Sequence, residues 1–242
     1  MLIFARPQNE IARVIMENSI ALELLSLILK HKSGDVVDSM FKRGIIYKIN
    51  YGVNTPIIKK LVEPYYGNHE LAEEMFEMDY REAKLAAIYM ESPQALSAEQ
   101  MDRWSSDFIN DEIVEQAVIN LFWKSKYALF KASEWSLSNN DFLQKAGLMI
   151  IGKIAAERPE IRDEIFTPYF DIIEDLAGTA SSHSRSAAAF ALREIGKKNK
   201  ALNAMAVILA DKLAKSDNFS SKWIAEEVSW ILSDNDLQEK LC

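Results

Sequence analysis

Apolar residues recur every three to four positions along almost the whole chain, which is the period of a helix with one buried face. Only the short stretch 43–51 has the pattern of extended chain. The sequence therefore predicts an all-α fold with no sheet beyond a short pairing near 43–51. Helices are predicted, each boundary within a few residues, at 8–31, 36–44, 55–66, 69–77, 80–91, 97–108, 111–123, 125–136, 141–157, 160–178, 183–196, 200–215 and 219–232.

Helix boundaries carry the expected residues, with Pro56 in a first turn, Ser97 at an N-cap and Gly196 at a helix end. Short gaps between successive helices predict antiparallel neighbours. Helix pairs of about 35 to 45 residues predict HEAT-like helical repeats stacked into a curved right-handed solenoid, an α-α superhelix. Because no segment has linker composition, we expect a single HEAT-like domain over 1–242.

Composition excludes several classes of protein. Nearly half of the residues are apolar, which is enough for a full core. The longest apolar run, near 20–29, is interrupted by Glu23 and reads as a buried helix rather than a membrane span. No secretory signal is expected at the start, and a single cysteine, Cys242, fits the cytoplasm. No metal site is predicted, because no second ligand at metal spacing is evident for His31, His69 or His183.

The charge of the chain is unevenly distributed. A net charge of −8 argues at first against a nucleic-acid partner. However, five cations lie close together near the end of the chain, and they predict a local basic surface with weak, salt-sensitive binding to nucleic acid. These cations are Arg185, Arg193, Lys197, Lys198 and Lys200.

Phe190 is the unusual residue of the helix that carries these cations. Ala188, Leu192 and Ile195 share one arc and are predicted to be buried, whereas Phe190 falls on the other side with Arg193. An exposed ring beside cations would suit stacking on nucleic acid. The alternative is that Phe190 packs under a neighbouring helix of a repeat array. Both interpretations stay open at the level of sequence.

Four segments, taken in order, resemble the AlkD-like DNA alkylation repair proteins, a family of HEAT-like repeat DNA glycosylases. The resemblance covers about residues 45–232, and its strength lies in the order of the segments rather than in any one of them. The segments are Tyr51-Gly52-Val53-Asn54-Thr55-Pro56, Met75-Phe76 followed by Tyr80-Arg81-Glu82-Ala83-Lys84, Glu134-Trp135 ten residues before Lys145, and Ala191-Leu192-Arg193-Glu194-Ile195-Gly196-Lys197-Lys198-Asn199.

The resemblance implies a function as well as a fold. Such proteins hold DNA on a concave face and cleave the N-glycosidic bond of positively charged alkylated bases, of the 3-methyladenine and 7-methylguanine type, without a metal or organic cofactor. In this chain Asp111 stands in place of the family aromatic and Glu115 in place of the catalytic aspartate. The implied catalytic residues are therefore Glu115 and the substituted Asp111, and the implied DNA-binding residues are Lys145, Phe190, Arg193, Lys197 and Lys198.

The substitutions are expected to weaken the chemistry. Glu115 is one methylene longer than aspartate, and Lys145 keeps the charge of the family arginine but loses its planar fork. Asp111 removes a ring and adds a negative charge one turn from Glu115, so repulsion should make Glu115 easier to protonate. We therefore expect slow or absent base excision. In the structural alternatives, Asp111 is a first-turn helix acid, and Glu115 and Lys145 are solvated side chains.

A different function is consistent with the same residues. The chain could be a non-catalytic helical scaffold that binds altered or branched DNA, or a protein partner, on the same surface. DNA is favoured by Lys145, Phe190, Arg193 and Lys197. A loss of chemistry or a change of ligand is favoured by Asp111 and the net acidity.

Overall fold

A computed structural model describes residues 20–241, and within these residues the chain is helical with no strand. An isolated parallel bridge between Ile49 and Tyr80 is the pairing expected near 43–51. The all-α prediction is confirmed. The helices are α1 (20–29), α2 (Gly34–Lys42), α3 (Thr55–Val62), α4 (His69–Phe76), α5 (Arg81–Met90), α6 (Ala98–Ser105), α7 (Asp111–Asn120), α8 (Ala128–Ser136), α9 (Asp141–Glu157), α10 (Pro168–Ala177), α11 (Ser182–Gly196), α12 (Lys200–Ala214), α13 (Phe219–Leu232) and α14 (Asn235–Lys240), with 3-10 turns at Glu63–Tyr65, Phe122–Lys124 and Asp163–Ile165.

The structure departs from the predicted helices at 160–178 and after 232. The segment predicted at 160–178 contains a separate 3-10 turn, and α10 starts only at Pro168, which has no backbone N–H for a preceding turn. Helix α14 is absent from the sequence prediction, because six residues are too few to show a helical period. The start of the first predicted helix, 8–19, lies outside the described residues.

The chain divides into two compact units, Met1–Leu96 and Ser97–Cys242. The expectation of a single domain over 1–242 stays a prediction. The division falls at the N-cap of α6, where the Ser97 side chain accepts a hydrogen bond from the Gln100 N–H. The boundary between the two units is an ordinary helix cap, and the composition of the sequence does not change there.

The first unit is organised around a buried carboxylate. The fully buried Glu82 side chain accepts hydrogen bonds from the backbone N–H groups of Tyr51 and Val53, both at 3.2 Å. Arg81 donates to the Val53 carbonyl at 2.8 Å. Gly52 lies between Tyr51 and Val53, and its φ of 72° is a conformation that favours glycine. These contacts fix the extended segment that leads into α3.

The second unit depends on close approach between helices. A Cβ added at Gly147 of α9 would lie 2.9 Å from the Ala132 carbonyl oxygen of α8, and closer still to the Ser136 nitrogen. A Cβ at Gly152 would lie 2.6 Å from the Phe190 ring of α11. Because neither glycine has a side chain, α8 packs closely against α9 at Gly147, and α11 packs closely against it at Gly152. The prediction that Ala188, Leu192 and Ile195 are buried is confirmed.

Candidate nucleic-acid site

The site begins at the first turn of α7. The Asn110 side chain accepts a hydrogen bond from the Ile113 N–H and so caps the helix. Asp111 follows directly, and Glu115 lies one turn later, so their side chains project from one face of α7. These are the two residues that the resemblance implied as substitutes for a family aromatic residue and aspartate.

Lys145 of α9 joins the two carboxylates. Its Nζ donates to Asp111 Oδ1 at 2.6 Å and to Glu115 Oε1 at 2.7 Å. The lysine side chain is 4% exposed, whereas those of Asp111 and Glu115 are 42% and 44% exposed. The expectation of a solvated lysine is wrong, because its ammonium is buried behind two carboxylates that face solvent.

Lys145 also changes the electrostatic argument made from the sequence. The sequence predicts repulsion between Asp111 and Glu115 because both lie on one face of α7. In the structure, the positive charge of Lys145 is in contact with both carboxylates. An opposite charge at this distance favours the ionised form of a carboxylate. The cluster is therefore a compact anionic site with a buried counter-ion.

His183 at the start of α11 is a member of the site that the sequence did not reveal. Its Nδ1 lies 2.8 Å from Asp111 Oδ1, and its ring centroid is 4.7 Å from that of Phe142. Partial burial raises the pKa of Asp111, but hydrogen bonds from Lys145 and His183 outweigh it and hold that pKa below the usual value for aspartate. Asp111 and His183 are 72 positions apart, so no local spacing indicates the contact.

Phe190 lies further along α11. Its ring packs over Gly152 of α9 and is half-buried, and the Arg193 guanidinium carbon lies 5.4 Å from the ring centroid. The position agrees with the packing interpretation, in which the ring lies against a neighbouring helix. The distance between the ring and the Arg193 guanidinium is within the range of cation–π attraction.

The other predicted DNA-binding cations have partners within the protein. Arg193 Nε and Lys197 Nζ both contact Glu194 Oε1, at 2.8 and 3.2 Å. Lys198 Nζ donates to the Pro159 carbonyl at 2.7 Å. Their contact with DNA remains a prediction.

The predicted site residues thus form two groups along α11. Asp111, Glu115 and Lys145 meet at the start of α11, where His183 joins them. Arg193 lies ten residues after His183, a separation of about 15 Å along the helix axis. The DNA contact expected of Lys145 stays a prediction.

One group in the described part of the chain has ligands suited to a metal ion. Ligand atoms of His69, Glu73 and Glu91 lie within 4.8 Å of one another, and His69 Nδ1 is 2.8 Å from Glu91 Oε2. The sequence reasoning missed these carboxylates, although Glu73 stands one helical turn after His69. The group lies in the first unit, outside the Asp111 cluster.

No helix within residues 20–241 combines the length and the hydropathy that a membrane span requires.

Comparison with known proteins identifies the family. The family model described as DNA alkylation repair enzyme matches residues 39–218. The chain belongs to this family. The DNA alkylation repair enzyme match includes the whole Asp111 cluster, and membership supports DNA as the partner and a repair-type function. Among curated proteins, none matches this chain.

A solved structure establishes the repeat class. It has a TM-score of 0.74 and 19% sequence identity, and the match covers 85% of this chain and 92% of the other. That protein is described as one of a new family related to the HEAT-like repeat DNA glycosylases with affinity for branched DNA structures. At this identity the similarity shows the fold, and the HEAT-like prediction is confirmed.

Proposed function

We propose that the protein binds DNA with the surface of the second unit that carries Asp111 and Glu115, and that it slowly removes positively charged alkylated bases. The observation that carries this proposal is the pair of half-exposed carboxylates fixed by the buried Lys145. Family membership supports DNA as the partner.

The chemistry requires stabilisation of positive charge. An alkylated base such as 7-methylguanine is already cationic, so it leaves as a neutral base with the electron pair of the N-glycosidic bond, and positive charge develops on the sugar as this bond breaks. Water then adds to C1′ and releases a proton to solvent. A carboxylate held in place beside the sugar stabilises that charge in the transition state. Glu115 is the candidate for this role, and Lys145 is its positioning residue. The proposal includes no metal or organic cofactor.

The same lysine accounts for a slow reaction. Lys145 contacts both carboxylates, so it cancels part of the field that would act on a cationic sugar. Asp111 also supplies no ring to stack on a base or sugar. The geometry therefore favours attraction of a cationic base over rapid bond cleavage.

Glu115→Gln is expected to lower the release of 7-methylguanine from methylated DNA by about tenfold or more, since it removes one of the two charges that face the substrate. Asp111→Trp with Glu115→Asp, which restores the family residues, should raise release. Asp171→Asn, at an exposed carboxylate of α10, is the control and should change nothing. Release that is indifferent to Glu115→Gln would show that this carboxylate is not the catalytic one.

DNA affinity gives a second prediction. Arg193 and Lys197 share one carboxylate, so the pair retains a net positive charge that can meet a phosphate. The double variant Arg193→Ala with Lys197→Ala should bind duplex DNA more weakly and with a smaller salt slope, by about 0.9 for each phosphate that the protein no longer neutralises. Fluorescence anisotropy over a range of salt concentrations measures both. An unchanged salt slope would show that Arg193 and Lys197 do not contact DNA phosphates.

A second candidate function is non-catalytic binding of branched DNA. Two observations favour it: the similar solved structure is described as having affinity for branched DNA, and Asp111 replaces the family aromatic. Assays of the wild-type protein separate the two functions. Tight binding to a four-way junction without release of any alkylated base would establish the second function and exclude the first.

A further inference from the structure

Arg185 differs from the other cations of α11. Arg193 and Lys197 share Glu194, and Lys198 contacts backbone carbonyl groups. Within residues 20–241, Arg185 lies within ion-pair distance of no carboxylate, and its Nε is buried without a hydrogen-bond partner. Its positive charge is therefore available to an anionic ligand.

Two aromatic rings of α13 hold the guanidinium group. The Arg185 Cζ lies 4.8 Å from the ring centroid of Trp223 and 5.1 Å from that of Phe219. Both contacts are within the range of cation–π attraction. Cation–π contacts use no N–H group, and the Arg185 Nε–H has no hydrogen-bond partner, so the guanidinium keeps a donor for a phosphate.

The first turn of α13 is itself fixed in place. Ser220 Oγ donates to the Ala180 carbonyl at 3.2 Å, and Arg185 Nη1 donates to the same hydroxyl at 3.4 Å. The Asn218 side chain caps the helix and also donates to the Gly178 carbonyl at 2.8 Å. The cluster around Arg185 is therefore positioned before any ligand arrives.

Phe219 leaves most of its ring in solvent. Its exposure is 71% although it contacts the guanidinium, so one large apolar face has no cover within the described part of the chain. A nucleobase stacks on such a face, and stacking of this kind does not depend on base identity. The phosphate of the same nucleotide is the anion that Arg185 lacks.

We propose that Arg185, Phe219 and Trp223 form a binding site for an unpaired nucleotide of DNA, with the phosphate on Arg185 and the base on Phe219. The inference rests on the proposed function, in which the second unit binds DNA. The site would give the protein a preference for DNA with unpaired nucleotides over fully paired duplex, because only a base outside a duplex has a free face for stacking. A perfectly paired duplex offers the phosphate without the base.

This site differs from the Asp111 cluster. Arg185 follows His183 by two residues, a rotation of about 200° around α11, so it faces α13 while His183 contacts Asp111 of α7. The two sites flank the start of one helix. A substitution in one can therefore be tested against function in the other.

The test compares fluorescence anisotropy for a duplex with a three-nucleotide single-stranded bulge and for the same duplex fully paired. Arg185→Met and, separately, Phe219→Ala are each expected to weaken binding to the bulged duplex by about 5- to 150-fold, the range found when stacking on an aromatic residue is removed. Binding to the paired duplex should change much less. Arg185→Lys should restore only part of the loss, because lysine lacks the planar stack.

Matched controls lie on the same helix. Trp230 is also 71% exposed, and Lys222 is an exposed cation, so Trp230→Ala and Lys222→Met should leave both affinities unchanged. Because Phe219 is largely in solvent, Phe219→Ala should fold normally even where Arg185→Met lowers stability.

The outcomes separate this inference from the proposed function. Wild-type affinity of both variants for the bulged duplex would overturn the inference, and base release that still depends on Glu115 would then leave the proposed function standing. A wild-type protein that binds neither duplex would overturn both. Selective loss of bulged-duplex binding in both variants would establish the site.

Discussion

The double variant Asp111→Ala with Glu115→Ala is expected to lower the free energy of unfolding by about 3–5 kcal/mol, because it leaves the buried Lys145 ammonium without a counter-charge. Lys145→Met should cost much less. It leaves carboxylates that are more than two-fifths exposed and can be solvated by water, and methionine fills much of the same space. Chemical denaturation at neutral pH measures both changes.

The triple variant, in which Lys145→Met is added to the two alanine substitutions, should recover most of the lost stability. Recovery would show that the loss comes from the unpaired charge rather than from missing side-chain volume. A triple variant as unstable as the double variant would contradict this account of the cluster.

Asp111 gives the same cluster a dependence on pH. Its pKa is lower in the folded protein than its ordinary value, so the folded state favours the charged carboxylate. This contribution to stability is present above the ordinary value and is lost as the pH falls through the lowered value. Asp111→Asn should therefore reduce the acid sensitivity of unfolding.

Gly147→Ala is expected to lower the free energy of unfolding by about 3 kcal/mol, at the upper end for overpacking. The added methyl group would meet the backbone of α8 at Ser136 and Ala132, and backbone atoms cannot rotate away as a side chain can. The effect should exceed the gain of about 1 kcal/mol in helix propensity from replacing glycine.

Gly34→Ala is the matched control, because a Cβ at Gly34 meets nothing within 4 Å. Gly152→Ala should fall between the two, since a Cβ there meets chiefly the Phe190 side chain, which has some freedom to move. Equal stability of the Gly147→Ala and Gly34→Ala variants would contradict the close packing of α8 on α9.

The sequence predicts the fold well, because an amphipathic helix leaves its period in the local order of residues. Pairs such as Ala188 and Leu192 lie on one buried face for that reason. Helix α14 lacks enough residues to show the period, and the boundary between the two units coincides with the ordinary cap at Ser97. Local pattern carries no information about either.

The site could be predicted only in part. The resemblance to the family pointed to Asp111, Glu115 and Lys145, but it did not show that the lysine is buried against both carboxylates. On a helical wheel Lys145 lies opposite the apolar arc, which describes a solvated side chain when the neighbouring helix is unknown. Its burial depends on which helix packs there.

Contacts between distant segments escape the sequence altogether. Arg185 is one of five clustered cations, and nothing local distinguishes it from Arg193 or Lys197. Its difference comes from α13, more than 30 positions later, which places two aromatic rings against the guanidinium. Similarly, His183 has no neighbour at metal-ligand spacing in the sequence, but it hydrogen-bonds to an acid 72 positions earlier.

A single oxygen, Asp111 Oδ1, accepts contacts from Lys145 of α9 and His183 of α11, so one atom of α7 joins three helices. Any ligand that takes this oxygen must displace contacts that also hold the helices together. A neutral base brings no charge to offset that loss, whereas a cationic base replaces one positive partner with another. We therefore expect a cationic ligand to bind at Asp111 more readily than a neutral one, and its binding should also change the rigidity of all three helices.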